Sequence, residues 1–234
     1  VRDAKGQTTQ YAYNAYGELT GITYLDGRSE SYTYDLSGRL TQVRERSGDT
    51  FTYTYDSVGR ITRKDFGDGT FEQFTYDSVG RVATVRDIRG GTTTLTYDTN
   101  NRLTRIAYPG GRSLSFTYDA VGRRTQLVDQ TGFTVNYSYD AQGRLSELKN
   151  ASGARIVAYT YDANSRLSRE NNGNGTYTTY TYDTAGQVTA INNYAPNGTL
   201  NSFFQYTYNT LGQQTSANTR DGRWTYTYDG SGQL

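Results

Sequence analysis

Residues 39–60, RLTQVRERSGDTFTYTYDSVGR, decide the fold. The segment TFTYTY places Phe51, Tyr53 and Tyr55 on one face and Thr52 and Thr54 on the other. That alternation is the period-2 signature of a strand. The turn Asp56-Ser57-Val58-Gly59 follows. Asp at the first position and Gly at the fourth suit a type I turn. The carboxylate can accept from the N–H two residues on, and Gly supplies a left-handed backbone after the turn, as in a bulged hairpin. A second strand begins at Leu40-Thr41-Gln42-Val43, with its apolar residues first and fourth. Strict alternation would not space them so. Either the first residue still belongs to the turn or a bulge shifts the face. A second Gly-rich turn closes the unit, as at Asp26-Gly27, Ser47-Gly48, Gly110-Gly111, Ser152-Gly153 and Asp221-Gly222.

Working outward, the unit recurs along the chain. Tyr-Asp or Tyr-Asn stands before a turn at Tyr13, Tyr34, Tyr55, Tyr76, Tyr97, Tyr118, Tyr139, Tyr161, Tyr182, Tyr208 and Tyr228. The spacing is 20 to 22 residues, except for one of 26 between Tyr182 and Tyr208. Such a period marks a repeat array. Residues 1–234 are read as one array of about eleven units, with no linker. Val1 falls where other units carry Val43, Val85 or Ile106, and Leu234 where they carry Leu40 or Leu103. Both ends are therefore expected to lie mid-repeat, in a piece of a longer chain. Asn101 and Ser165 take the Gly position of two turns, and Asn tolerates that conformation best after Gly. Nothing recurs at helical spacing. Two strands per unit predict roughly twenty strands, about 4.8 Å apart, and a strip roughly 100 Å long that must curl. The expected fold is all-β: tandem hairpins in an elongated, curved antiparallel ribbon.

Composition agrees and excludes much. Hydrophobic residues are only 34%, with 24 Tyr, 26 Gly and 2 Pro in 234 residues. Tyr favours strands. The chain has no Cys and no His, which removes disulfides, thiol catalysis, Ser-His-Asp chemistry and the commonest metal ligands. Charge is balanced, 24 basic against 23 acidic residues, so no basic face is expected for nucleic acid. No apolar run is long enough to span a membrane as a helix.

The motif Tyr-Asp-x-x-Gly-Arg-Leu-Thr, repeated as YDLSGRLT at 34–41, YDSVGRIT at 55–62 and YDAQGRLS at 139–146, resembles the YD repeat of RHS proteins. That family includes bacterial polymorphic toxins, the C component of toxin complexes, wall-associated proteins and teneurins. The resemblance covers essentially the whole chain. It implies a spiral strip that forms a hollow shell around a C-terminal toxin or other cargo, or an extracellular barrel in teneurins. It implies a structural role, a secreted or cell-surface location in a bacterial protein, and as partners the remainder of the same longer chain. Many bacterial members end the shell with Asp-Pro-x-Gly-Leu, tied to self-cleavage. Here Pro109 and Pro196 follow Tyr108 and Ala195, so that activity does not carry over. The structural positions are Tyr34, Asp35, Gly38 and Arg39; Tyr55, Asp56, Gly59 and Arg60; Tyr76, Asp77, Gly80 and Arg81; Tyr118, Asp119, Gly122 and Arg123; Tyr139, Asp140, Gly143 and Arg144.

No catalytic residue, metal ligand or cofactor is expected. Paired carboxylates could hydrolyse glycosides, but aspartates recurring at one repeat position point to turn formation. The recurrent arginines are expected to pair with neighbouring turn aspartates, with an anion-binding row as the alternative. The tyrosines read as the apolar layer; stacking on sugars or bases is the alternative. Gly67-Asp68-Gly69 is a weak calcium signal without recurrence, and Asn136, Asn150, Asn174 and Asn197 lie in N-x-S/T triplets. Lys64, Arg124 and Glu170 break the apolar pattern. The long spacing around residues 192–198 predicts a protruding loop. With Asn171, Asn172 and Asn174 it could form a polar patch, which supports the rival reading of a glycan- or protein-binding adhesive module.

Overall fold

The computed structural model describes Val1 and residues 8–233; the mid-repeat place read for Leu234 lies outside them. The chain divides into two compact units, Val1–Leu114 and Ser115–Leu234. The first holds ten strands, from Gln10–Tyr13 to Leu103–Ala107. The second holds ten more, from Arg124–Asp129 to Gly222–Thr225, and the strand Ser113–Tyr118 spans the boundary. Within each unit, every strand pairs antiparallel with the next in sequence. The hairpin-by-hairpin, all-β reading therefore holds. Among the described residues the only helical element is a 3-10 turn at Pro109–Gly111, where Gly110 and Gly111 form the turn anticipated there.

The register resolves the first-and-fourth puzzle. Thr33 faces Gln42, but Tyr34 faces Leu40, so Thr41 is an extra residue. The same slip occurs between Thr54 and Tyr55, opposite Ile61 and Arg63, and between Thr75 and Tyr76, opposite Val82 and Thr84. These hairpins thus carry a bulge beside the Tyr-Asp turn. The bulge returns Leu40 and Val43 to one face, opposite Tyr34 and Tyr32. The bulged Thr41 sets its hydroxyl 3.2 Å from that of Thr33 on the other face, and Thr54–Thr62 repeats the pair at 3.2 Å.

Glycine is required where the backbone is left-handed. Gly59 has φ 88° and the equivalent Asn101 and Ser165 have φ 63°, as expected of residues that replace Gly after the turn. The Gly59 N–H donates to the Asp56 carbonyl at 3.1 Å, and the Asp56 N–H to the Arg60 carbonyl at 2.9 Å.

The described residues form no packed core. Among the described residues only Phe116, Val157 and Ala217 are buried apolar side chains. The aromatic face is half-buried by its own neighbours, strand against strand. Stability must come from many short-range contacts between adjacent repeats.

Two expectations need correction. The five extra residues before Tyr208 do not make an irregular loop. They lengthen the hairpin into strands Val188–Tyr194 and Leu200–Tyr208, with one further bulge at Asn193/Tyr194. The connection is the same turn as elsewhere, with Gly198 N–H donating to the Ala195 carbonyl at 2.9 Å. Backbone groups satisfied in a ladder are favoured over a loop that leaves them to water. By analogy with Tyr53 and Tyr55, the alternating Tyr226 and Tyr228 would continue the last strand, but it stops at Thr225, where it is paired on one side only.

Candidate functional site: the tyrosine, aspartate and arginine edge

All the recurrent residues gather along the edge of each unit where the Tyr-Asp turns lie. Asp56 shows the local logic. One carboxylate oxygen, Oδ1, accepts from the N–H groups of Val58 at 3.0 Å and Arg60 at 2.9 Å. The other, Oδ2, accepts from Arg60 Nε at 2.7 Å. Both acceptor sites are thus committed within five residues. The same 2.7 Å ion pair joins Arg39 to Asp35, Arg81 to Asp77, Arg123 to Asp119 and Arg144 to Asp140. The backbone N–H of the arginine, foremost among the donors, holds the carboxyls of Asp35, Asp56, Asp98 and Asp162 below the usual range.

Each arginine pairs with the aspartate of its own turn; it reaches the neighbouring turn by other means. Arg39 and Arg81 donate through Nη1 to the backbone carbonyls of Asp56 and Asp98, at 3.1 and 3.0 Å. The guanidinium also lies over the next tyrosine ring: Arg39 over Tyr55 at 4.9 Å, Arg60 over Tyr76 at 4.3 Å, Arg123 over Tyr139 at 4.5 Å. Planarity lets one group stack and donate in its plane at once.

The tyrosine completes the stitch backwards. The ladder between strands Leu40–Arg44 and Thr50–Tyr55 ends at the pair Gln42 and Thr52. The Leu40 carbonyl lies two residues beyond it, and the Tyr55 hydroxyl donates to that carbonyl at 2.6 Å. Tyr34 serves Leu19, Tyr76 serves Ile61, and Tyr139 serves Arg124, at 2.8, 2.6 and 2.7 Å. Burial pushes the Tyr55 phenol up. The ladder between adjacent hairpins stops short of the turn end, and tyrosine and arginine bridge the gap. Sequence reasoning took these tyrosines for apolar filling. The available signal was that all eleven anchors are Tyr while eight Phe stand elsewhere; a purely apolar position would accept either.

Each departure from the repeat has its own surroundings. Lys64 is ringed by Phe66 at 4.6 Å, Phe51 at 4.9 Å and Tyr53 at 5.9 Å. Arg124 stacks on Phe116 at 4.6 Å, and its buried Nε has no hydrogen-bond partner. Glu170 faces Tyr159 across a ladder. The Asp68 carboxylate is taken by the N–H and hydroxyl of Thr70. Asn150, Asn174 and Asn197 accept from the N–H groups of Ala154, Thr176 and Thr199 as turn formers. No helix among the described residues is long and apolar enough to cross a membrane.

This arrangement has known counterparts. A solved structure described as TcdB2-TccC3-Cdc42 superposes with a TM-score of 0.79 at 19% identity, covering 97% of this chain and 14% of that one. TcdB2-TccC3-TEV gives 0.77 at 17% identity, covering 94% and 13%. A Tc holotoxin pore of Photorhabdus luminescens gives 0.73 at 17% identity, covering 97% and 15%. This chain therefore spans about one seventh of the chains it resembles, and at these identities the likeness is one of fold. No curated protein matches the sequence. The RHS Repeat model matches residues 1–29, and the Teneurin YD-shell model matches residues 45–129 and 123–234. With most of its length matched, and with the same turn built the same way in repeat after repeat, the chain belongs to the teneurin YD-shell family.

Proposed function

We propose that this chain is a non-catalytic stretch of wall in a secreted or cell-surface shell of a bacterial toxin, which encloses a polypeptide cargo of the same longer protein. The observation that carries this reading is the commitment of the recurrent polar groups to the array. Both oxygens of a turn aspartate such as Asp56 are occupied within its own turn. The tyrosine hydroxyls and arginine guanidinia are spent on joining one hairpin to the next. Groups so engaged serve continuity rather than chemistry. A serial, hydrogen-bonded sheet can separate two compartments because its backbone groups are satisfied strand by strand. The family and the toxin-complex structures of like fold agree with a structural role. Electron microscopy of the full-length protein tests the proposal. A closed wall around internal density is expected, and a solid particle with no cavity would refute it.

A further inference from the structure

One turn of the edge carries an acid where the others carry Arg or Gln. Seven of the turns place Arg after the Gly position or its substitute, and none places Lys. Where Gln stands there, it keeps the outward donor: Gln187 Nε2 donates to the Gly212 carbonyl at 2.8 Å. The turn at residues 14–18 carries Glu18 instead. Its Oε2 accepts from Asn14 Nδ2 at 2.6 Å. Its Oε1 lies 2.8 Å from the place a β-carbon on Gly38 would occupy. Glu18 thus aims an acceptor at the next turn, where every other side chain at this position that reaches across brings a donor. The space beside it is a cavity of about 580 Å³ bordered by Asn14, Tyr16, Glu18, Tyr34, Asp35 and Gly38. No cation of the described residues lies over Tyr34, although Tyr55, Tyr76, Tyr97, Tyr139, Tyr161 and Tyr182 each carry an arginine at 4.3 to 4.9 Å.

We propose that this gap is a binding site for a guanidinium group, an arginine side chain supplied from outside residues 1–234. The chain itself shows how the group would sit. It would stack on the Tyr34 ring as Arg39 stacks on Tyr55. It would donate to the Asp35 carbonyl as Arg39 donates to that of Asp56. Its remaining N–H groups would meet Glu18, whose carboxylate replaces the charge of the turn aspartate that Asn14 lacks. An ammonium could answer the charge, but it offers no plane to stack while donating sideways. The site does not depend on the encapsulating role, because it rests on one defective repeat.

Titration of the 234-residue protein with N-acetyl-argininamide, followed by calorimetry and by the Tyr34 ring resonances, tests the site. Saturable millimolar binding that moves Tyr34 is expected. N-acetyl-citrullinamide, equal in shape but uncharged, should bind about tenfold more weakly. Glu18→Arg should abolish binding by filling the gap from within, as in the other repeats, and Glu18→Gln should weaken it while leaving the fold unchanged. Equal binding of the arginine and citrulline compounds would overturn the proposal, as would unchanged binding to a folded Glu18→Arg protein. The citrulline comparison uses the wild-type chain, so it decides the matter even if a variant fails to fold.

Discussion

Replacing Tyr55 by Phe isolates the stitch between hairpins. The change keeps the ring, its half-buried position and its stacking with Arg39 at 4.9 Å, and deletes only the hydroxyl that donates to the Leu40 carbonyl at 2.6 Å. That carbonyl lies past the end of the Gln42–Thr52 ladder, so no strand partner replaces the lost donor. A neutral hydrogen bond contributes about 1 kcal/mol net, and a stranded buried acceptor costs up to about 3 kcal/mol. Because the site is only half-buried, water recovers part of the loss, and the expected destabilisation is about 1 kcal/mol. Tyr53 is the internal control. It shares the strand and the face, but its hydroxyl makes no hydrogen bond, so Tyr53→Phe should fall within about 0.5 kcal/mol of wild type. Tyr76 and Tyr97 repeat the Tyr55 geometry, donating to Ile61 and Val82 at 2.6 and 2.9 Å. Successive sites are two strands, roughly 10 Å, apart, so their effects should add to about 3 kcal/mol in the triple variant. Urea denaturation followed by circular dichroism measures the series. If Tyr55→Phe and Tyr53→Phe lose the same stability, the hydroxyl bridge does not hold the hairpins together and the account of the edge fails.

Three further outcomes follow from the same geometry. Gly59→Val should destabilise by about 1 kcal/mol or more, because a β-branched residue resists a φ of 88°; an unshifted melting temperature would contradict the turn. Arg124→Leu should stabilise by about 1 kcal/mol, since it restores the apolar residue usual at that position and removes a buried Nε that has no acceptor; a lower denaturation midpoint would show that the cation contributes through its aromatic neighbours. On acidification, the turn aspartates Asp35, Asp56, Asp98 and Asp162, all held below their ordinary values, bind protons more readily when unfolded. Their stabilisation is complete above the unfolded carboxyl pKa of about 3.9 and is lost as pH falls through the lowered folded values. Stability measured from pH 6 downward should therefore be flat until about pH 4 and then fall steeply; a decline centred near pH 6 would point to other groups.

The sequence alone determined the strand-and-turn alternation, its period, the serial hairpin order and the places where glycine or Asn101 must turn left-handed. These are local matters. Alternation is set by the two-residue pleat, and the Asp56 turn closes between residues at most four apart. Only the tertiary structure decided how one repeat grips the next. The Tyr55 hydroxyl and the Leu40 carbonyl are 15 residues apart, and Arg39 and the Asp56 carbonyl 17 apart; they meet because one hairpin is laid beside the next with its ladder ending short of the turns, which no local pattern encodes. The same holds for the long spacing before Tyr208, which could have been a loop until register showed the extra residues completing a ladder. It holds also for Glu18, an ordinary surface acid in the sequence. Its departure acquires meaning only when the next turn is brought against it and the donor that Arg or Gln supplies elsewhere is missing.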